Sequence, residues 1–251
     1  MSEQSGRLRR ADGVELAWKS LAGVGPAIVF LPGYKSDMEG SKALFLAGWA
    51  AEAGRAFLRL DYSGHGVSGG GFEDGTIGLW TEDALAIVDS VTQGPLVLVG
   101  SSMGGWIGLH IALARRNRVA GFIGIAAAPD FTETLVWAHM PEVARARLMA
   151  EGVIYAPSEY GDPLPFTRAL IEDGRHRLLL NDRIPLTCPV RLLQGQRDAE
   201  VPWQTALAIA EKMESADVRV TLIKDGDHRL SRERDLTLLR ETVEGLVAAG
   251  A

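Results

Sequence analysis

Short apolar runs and amphipathic helical patterns alternate along this sequence, and few architectures accept such an alternation. Pro26–Leu31 reads PAIVFL, and Leu96–Val99 and Val119–Ala126 are equally free of charge. A strand with no polar face must be covered on both sides, as a parallel strand between two helical layers is. Ala56–Leu60, Val190–Gln194 and Val218–Ile223 continue the series. Helical spacing runs through Ser41–Ala53, Leu79–Val91, Met103–Ala114, Trp203–Glu214 and Arg232–Ala248. Leu8–Arg10 and Val14–Lys19 flank Asp12-Gly13, a dipeptide suited to a two-residue hairpin turn, and supply an antiparallel edge. The pattern predicts an α/β fold, with a mostly parallel eight-stranded sheet and helices on both faces.

The alternation breaks between Pro129 and Thr187. Glu142–Glu151 and Thr167–Asp173 are helical in pattern, and Pro141, Pro157, Pro163, Pro165 and Pro185 punctuate the rest. No strong strand stands out there. We expect one domain over residues 1–251, with a helical lid inserted at about 129–187.

The net charge of −6 offers no basic face for a nucleic acid. The single cysteine, Cys188, cannot form an internal disulfide and reads as a buried structural thiol. Met1–Arg10 carries no apolar stretch of the kind a signal peptide needs, nor does it read as an ordinary transit peptide. No run approaches the ~18 apolar residues of a membrane span. A cytoplasmic protein is therefore expected. Nothing in the sequence sets an oligomeric state.

Gly100-Ser101-Ser102-Met103-Gly104 is a G-x-S-x-G sequence placed between an apolar strand and a helix. In that context the turn strains the backbone at Ser102 and projects its hydroxyl, while the glycines let strand and helix approach. Ser101 is out of register, because no glycine pair brackets it. A hydroxyl attacks only when a base takes its proton. Of the five histidines, His110, His139, His176 and His228 follow Ser102 in the chain, and His110 lies inside the helix that the serine motif opens. His139 and His176 lie in the interrupted segment. His228 alone follows a strand that could carry it to the carboxyl edge of the sheet. The orienting acid should end an earlier strand, which selects Asp198 after Val190–Gln194, with Glu200 as runner-up. A tetrahedral intermediate needs two N–H donors. The backbone of Met103 and of Tyr34, in Leu31-Pro32-Gly33-Tyr34, are the candidates. No His pair or Cys cluster has ligand spacing, and no glycine run forms a phosphate loop, so neither a metal nor a cofactor is expected.

These motifs resemble those of the α/β-hydrolase superfamily. Asp61-Tyr62-Ser63-Gly64-His65-Gly66-Val67-Ser68 looks like its loop after the fourth strand, and Asp198 with Val201-Pro202 like its acid loop. Phe30-Leu31-Pro32-Gly33-Tyr34, Gly100–Trp106, Cys188–Leu193, Val201-Pro202-Trp203 and Asp227-His228-Arg229 are together similar to one subfamily. That subfamily contains a mitochondrial acyl-glucuronide esterase that also removes palmitoyl groups from proteins. The resemblance covers Phe30 to the C-terminus. It implies the α/β-hydrolase fold and a serine carboxylesterase or thioesterase with Ser102, Asp198 and His228 as its triad. Its substrate would be a small acyl ester or thioester, or an acylated protein. Aminopeptidase or C–C bond hydrolysis on the same fold stays open, as does a non-catalytic ligand-binding member.

Within the lid, Trp137 and Met140 offer apolar surface for an acyl group, beside Leu148 and Met149. Arg175 offers a planar fork for an anionic leaving group such as a glucuronate, as do Arg145, Arg147, Arg168 and Arg177.

Overall fold

The computed structural model describes residues 3–157 and 163–249. The chain opens with the hairpin β1 (Gln4–Arg9) and β2 (Glu15–Leu21), then β3 (Val24–Leu31), α1 (Ser41–Glu52), β4 (Arg55–Leu60) and α2 (Ile77–Val91). The centre is β5 (Leu96–Ser101), α3 (Met103–Ala114) and β6 (Val119–Ile125). An irregular stretch follows, holding α4 (Glu142–Glu151), β7 (Val153–Ala156), β8 (Leu164–Thr167) and α5 (Arg168–Arg175). The chain returns through β9 (Val190–Gly195), α6 (Gln204–Lys212), β10 (Val218–Ile223) and α7 (Glu233–Ala249).

The main sheet has eight strands in the order β1-β2-β4-β3-β5-β6-β9-β10. Only the pairs β1–β2 and β2–β4 are antiparallel, so the leading hairpin is the antiparallel edge. Side chains alternate across β3. Ala27, Val29 and Leu31 join the layer of α2, α3 and α6, while Ile28 and Phe30 join that of α1 and α7. Both sets are almost wholly buried. This two-sided burial explains why the strand has no polar alternation. Each of the larger side chains, Ile28, Val29, Phe30 and Leu31, stabilises by about 1.5–3 kcal/mol relative to exposure.

Two local expectations change. The hairpin turn holds Ala11, Asp12 and Gly13 rather than two residues. The Gly13 N–H donates to the Arg10 carbonyl (2.9 Å) and the Arg10 N–H to the Val14 carbonyl (2.8 Å). Gly13 sits at φ 92°, which makes this a turn followed by a glycine bulge. The inserted segment is not purely helical either. Strands β7 and β8 form a separate antiparallel pair, with Ile154 opposite Phe166 and Tyr155 opposite Pro165. A π-helical turn spans Thr132–Trp137.

The insertion is fastened over the α2–α3 layer. Trp106 Nε1 and His110 Nε2 both donate to the Arg177 carbonyl, at 3.1 and 3.0 Å. The Gly78 N–H donates to Asp173 (2.7 Å). Asp130, buried and at φ 62°, accepts from the Leu179 and Leu180 N–H groups and so joins the two ends of the insertion.

Candidate active site

Ser102 stands between the end of β5 and the start of α3, at φ 53° and ψ −119°. A non-glycine residue there is strained, at a cost on the order of 1–3 kcal/mol. Its surroundings impose the conformation. The Ser102 N–H donates to the Ile125 carbonyl, and the Ser102 carbonyl accepts from Gly105 and Ala128. The flanking glycines have no room for a side chain. A Cβ on Gly100 would lie 2.3 Å from the Gly104 carbonyl oxygen, and one on Gly104 would lie 2.1 Å from that of Leu31.

His228 follows β10 and Asp198 follows β9. Their loops are in close contact, because a Cβ on Gly195 would lie 2.3 Å from the Gly226 carbonyl oxygen. The structure brings the three sequence candidates together. His228 Nε2 is 3.1 Å from Ser102 Oγ, and His228 Nδ1 is 2.8 Å from Asp198 Oδ2. The Asp198 side chain is fully buried. Its Oδ1 accepts from the Glu200 and Val201 N–H groups (2.9 and 2.8 Å), and its Oδ2 also accepts from Gln194 Nε2 (2.9 Å). Burial pushes this carboxyl upward, but the bonds from His228 and from the two amides outweigh it and hold it below the ordinary carboxylate range. With Asp198 charged, Nδ1 carries the proton and Nε2 offers its lone pair to the Ser102 hydroxyl. Gln194 was not among the sequence candidates. Its position four residues before Asp198, at the end of a buried strand, was the available signal.

The Met103 N–H opens α3 and has no carbonyl one turn back to pair with. The Tyr34 N–H lies on the loop after β3. Neither N–H is engaged in a hydrogen bond among the described residues. Gly33 lets this loop pass close over Ser102, since a Cβ there would lie 3.3 Å from Ser102 Cβ. The Tyr34 side chain does separate work. Its hydroxyl donates to the Pro165 carbonyl of β8, and its ring stacks on Phe166 at 5.5 Å. Burial drives its phenol well above the ordinary range.

Ser102 and His228 face a cavity of about 770 Å³. One wall is apolar: Phe131, Leu135, Val136, Leu164 and Phe166 from the insertion, with Met103 and Val201. The other is polar: Ser36, Ser41, Lys42, Glu200, Arg229 and Ser231. Lys42 donates to the Arg229 carbonyl at 2.6 Å. Burial and the nearby Arg229 charge bring its ammonium down to about 8, against Asp227 and Asp235.

Three sequence candidates do not line this cavity. Met140 is buried in a small apolar cluster inside the insertion, with Leu148 and Ile171. Trp137 is taken up by Arg145 and Arg175, whose guanidinium carbons lie 5.2 and 4.4 Å from its ring centre. Arg175 also pairs with Glu133 at 2.7 Å. Arg147, Arg168 and Arg177 pair with Glu151, Glu172 and Asp173, each four residues away in sequence. These arginines hold the insertion together. The other histidines stand apart from Ser102. His65 is packed among Tyr62, Phe72 and Trp80, and burial lowers it to about 4.

A parallel sheet carrying a serine on a strained strand-to-helix turn, with histidine and carboxylate delivered by later strand ends, is the architecture of an α/β hydrolase. The chain belongs to that family: residues 24–155 match the family model described as "Serine aminopeptidase, S33". The palmitoyl-protein thioesterase ABHD10, mitochondrial, of Mus musculus is 42% identical over 244 residues, which cover 96% of this chain and 81% of the relative. The structure of mouse alpha/beta hydrolase domain-containing protein 10 superposes with a TM-score of 0.91 at 40% identity, covering 99% of this chain and all of that one. A crystal structure from Agrobacterium vitis S4 superposes at 0.95, also at 40% identity, covering 98% and 100%. The cytoplasmic expectation is overturned, because relatives aligned over nearly the whole chain are mitochondrial proteins. The makeup of Met1–Arg10 does not assign a compartment.

Proposed function

We propose that this protein is a serine carboxylesterase or thioesterase that hydrolyses acyl esters or acyl thioesters through an acyl-enzyme on Ser102. The observation that carries the reading is the relay Ser102–His228–Asp198, with contacts of 3.1 and 2.8 Å, opening into a cavity with an apolar wall. The names of the relatives point to the same bond class. His228 Nε2 takes the Ser102 proton as Oγ attacks the acyl carbon. The Tyr34 and Met103 N–H groups receive the oxyanion, and His228 returns the proton to the leaving oxygen or sulfur. Water then repeats the sequence and frees the acid.

In this reading residues 129–187 form a lid of the single domain 1–251. Phe131, Leu135, Leu164 and Phe166 receive the acyl group, and the polar wall receives the leaving group. Acyl glucuronides and acylated protein cysteines are candidate substrates on that basis. The test is a panel of acyl thioesters, acyl glucuronides, p-nitrophenyl esters and peptide amides, with Ser102→Ala as control. Turnover of esters or thioesters that is lost in the variant is the expected result. Exclusive cleavage of the peptide amides would move the assignment to an aminopeptidase.

A further inference from the structure

Each ring nitrogen of His228 has its own carboxylate. Asp198 holds Nδ1 at 2.8 Å, and Glu200 Oε2 lies 3.6 Å from Nε2, the nitrogen that faces Ser102. The Glu200 backbone N–H is itself bound to Asp198 Oδ1 at 2.9 Å. The same short turn therefore fixes the buried carboxylate and roots the second one. The Glu200 side chain lines the cavity and is 46% exposed.

We propose that Glu200 is a second carboxylate acting on the imidazole, one that stabilises His228 in its charged form during acyl transfer. The proposal rests on the triad reading given above. In the resting enzyme Nε2 presents a lone pair to the Ser102 hydroxyl, and a neighbouring negative charge does nothing to favour that state. Once the proton has moved from Oγ to Nε2 the ring is cationic, and the charge 3.6 Å away attracts it. The proton then passes to the departing alkoxide or thiolate, and in deacylation the ring takes a proton from the attacking water and returns it to Ser102 Oγ. The same attraction has an opposite cost in acid, where it favours a protonated ring that cannot act as a base.

Other charged groups border the same cavity: Lys42 from α1, which donates to the carbonyl of the adjacent Arg229, and Lys35 and Asp37 from the loop after β3. Asp227 turns its carboxylate to the Leu230 N–H at 2.9 Å. Glu200 is the carboxylate among them that stands within 4 Å of Nε2. Its exposure makes its effect sensitive to salt, unlike that of Asp198.

The variant Glu200→Gln keeps the size of the side chain and removes the charge. Its kcat/KM on a neutral p-nitrophenyl ester should fall about three- to tenfold on the alkaline plateau, while its acid limb moves about half a pH unit or more to lower pH. Glu200→Asp should recover part of both effects, and raising salt should move the acid limb of the wild type to lower pH relative to that of Glu200→Gln. Profiles that superimpose would overturn the proposal. An NMR titration of the His228 ring in Ser102→Ala protein, with and without Glu200→Gln, reads the same interaction without turnover. A midpoint lowered by half a unit or more supports the proposal, and an unchanged midpoint rejects it. Persistent esterase activity in Ser102→Ala would instead sink the triad reading, so the two failures are distinct.

Discussion

The Tyr34 hydroxyl donates to the carbonyl of Pro165, which ties the loop after β3 to strand β8 of the insertion. The Tyr34 backbone N–H is also one of the two oxyanion donors proposed above, so on that reading the position of the insertion and the geometry at the oxyanion are linked through a single residue. Tyr34→Phe removes the hydrogen bond and keeps the ring stacked on Phe166. A net hydrogen bond contributes about 1 kcal/mol, so Tm should fall by roughly 2–4 °C for a chain of this size. The kcat for long-chain esters should fall by more than that for acetate esters. Equal effects on both would mean that the bond only holds the insertion in place.

Ser102 works in a backbone conformation that stability alone would not select. Ser102→Gly should abolish turnover, because no Oγ remains. It should also relieve strain of about 1–3 kcal/mol, against the roughly 0.4–1 kcal/mol that glycine adds to the entropy of the unfolded chain. A Tm a few degrees above that of the wild type is the expected outcome of calorimetry. A lower Tm would show that the hydroxyl's contact with His228 outweighs the backbone strain.

Asp198 is buried and held in its charged form, so it links activity to acid stability. Asp198→Asn should lower kcat by a factor on the order of 10⁴, since the amide no longer fixes the histidine tautomer. Glu200→Gln, at three- to tenfold, should be far milder. The native carboxyl titrates below its unfolded counterpart. The stability it contributes is therefore fully present above the unfolded value of about 3.9 and is lost as pH falls through the lower native one. Melting curves of wild type and Asp198→Asn should thus differ from pH 7 to about 5 and draw together as pH falls below about 4. A gap that stays undiminished below about 4 would contradict the charged assignment.

The legible parts of this chain were those where burial leaves a one-dimensional trace. β3, β5 and β6 lie between two helical layers, and their continuous apolar runs record it. The serine turn was legible because close approach to Leu31 and Gly104 demands glycine at fixed offsets. β7 and β8 left no such trace. They form a two-stranded ribbon, and Pro165, which removes a ladder donor, sits within one of them. Residues of the insertion were misread for a related reason. Sequence shows that Trp137 and Met140 are apolar and that Arg175 is cationic, but not which way each faces. Leu135 and Val136, on the π-helical turn Thr132–Trp137, border the cavity, whereas Met140 in the turn beyond it packs into the insertion's own core. Gln194 was missed because its part depends on a neighbour's carboxylate, not on any pattern of its own.

The apolar wall gives the most direct test of substrate class. Phe166 and Leu164 border the cavity from β8, whereas Arg175 and Met140 do not reach it. Phe166→Ala and Leu164→Ala should therefore raise KM for octanoyl or longer esters by roughly tenfold, the size expected when about 1–3 kcal/mol of apolar contact is lost. Acetate esters, which have no chain to bury against β8, should change less than twofold. Arg175→Ala should do the reverse. It breaks the pair with Glu133 and uncovers the Trp137 ring, both partly exposed, so about 1 kcal/mol or less of stability is at stake. Its kinetic constants for every acyl length should stay within twofold of wild type. A chain-length profile that Phe166→Ala leaves intact but Arg175→Ala alters would place the acyl group on the far side of the insertion, away from the wall that faces Ser102.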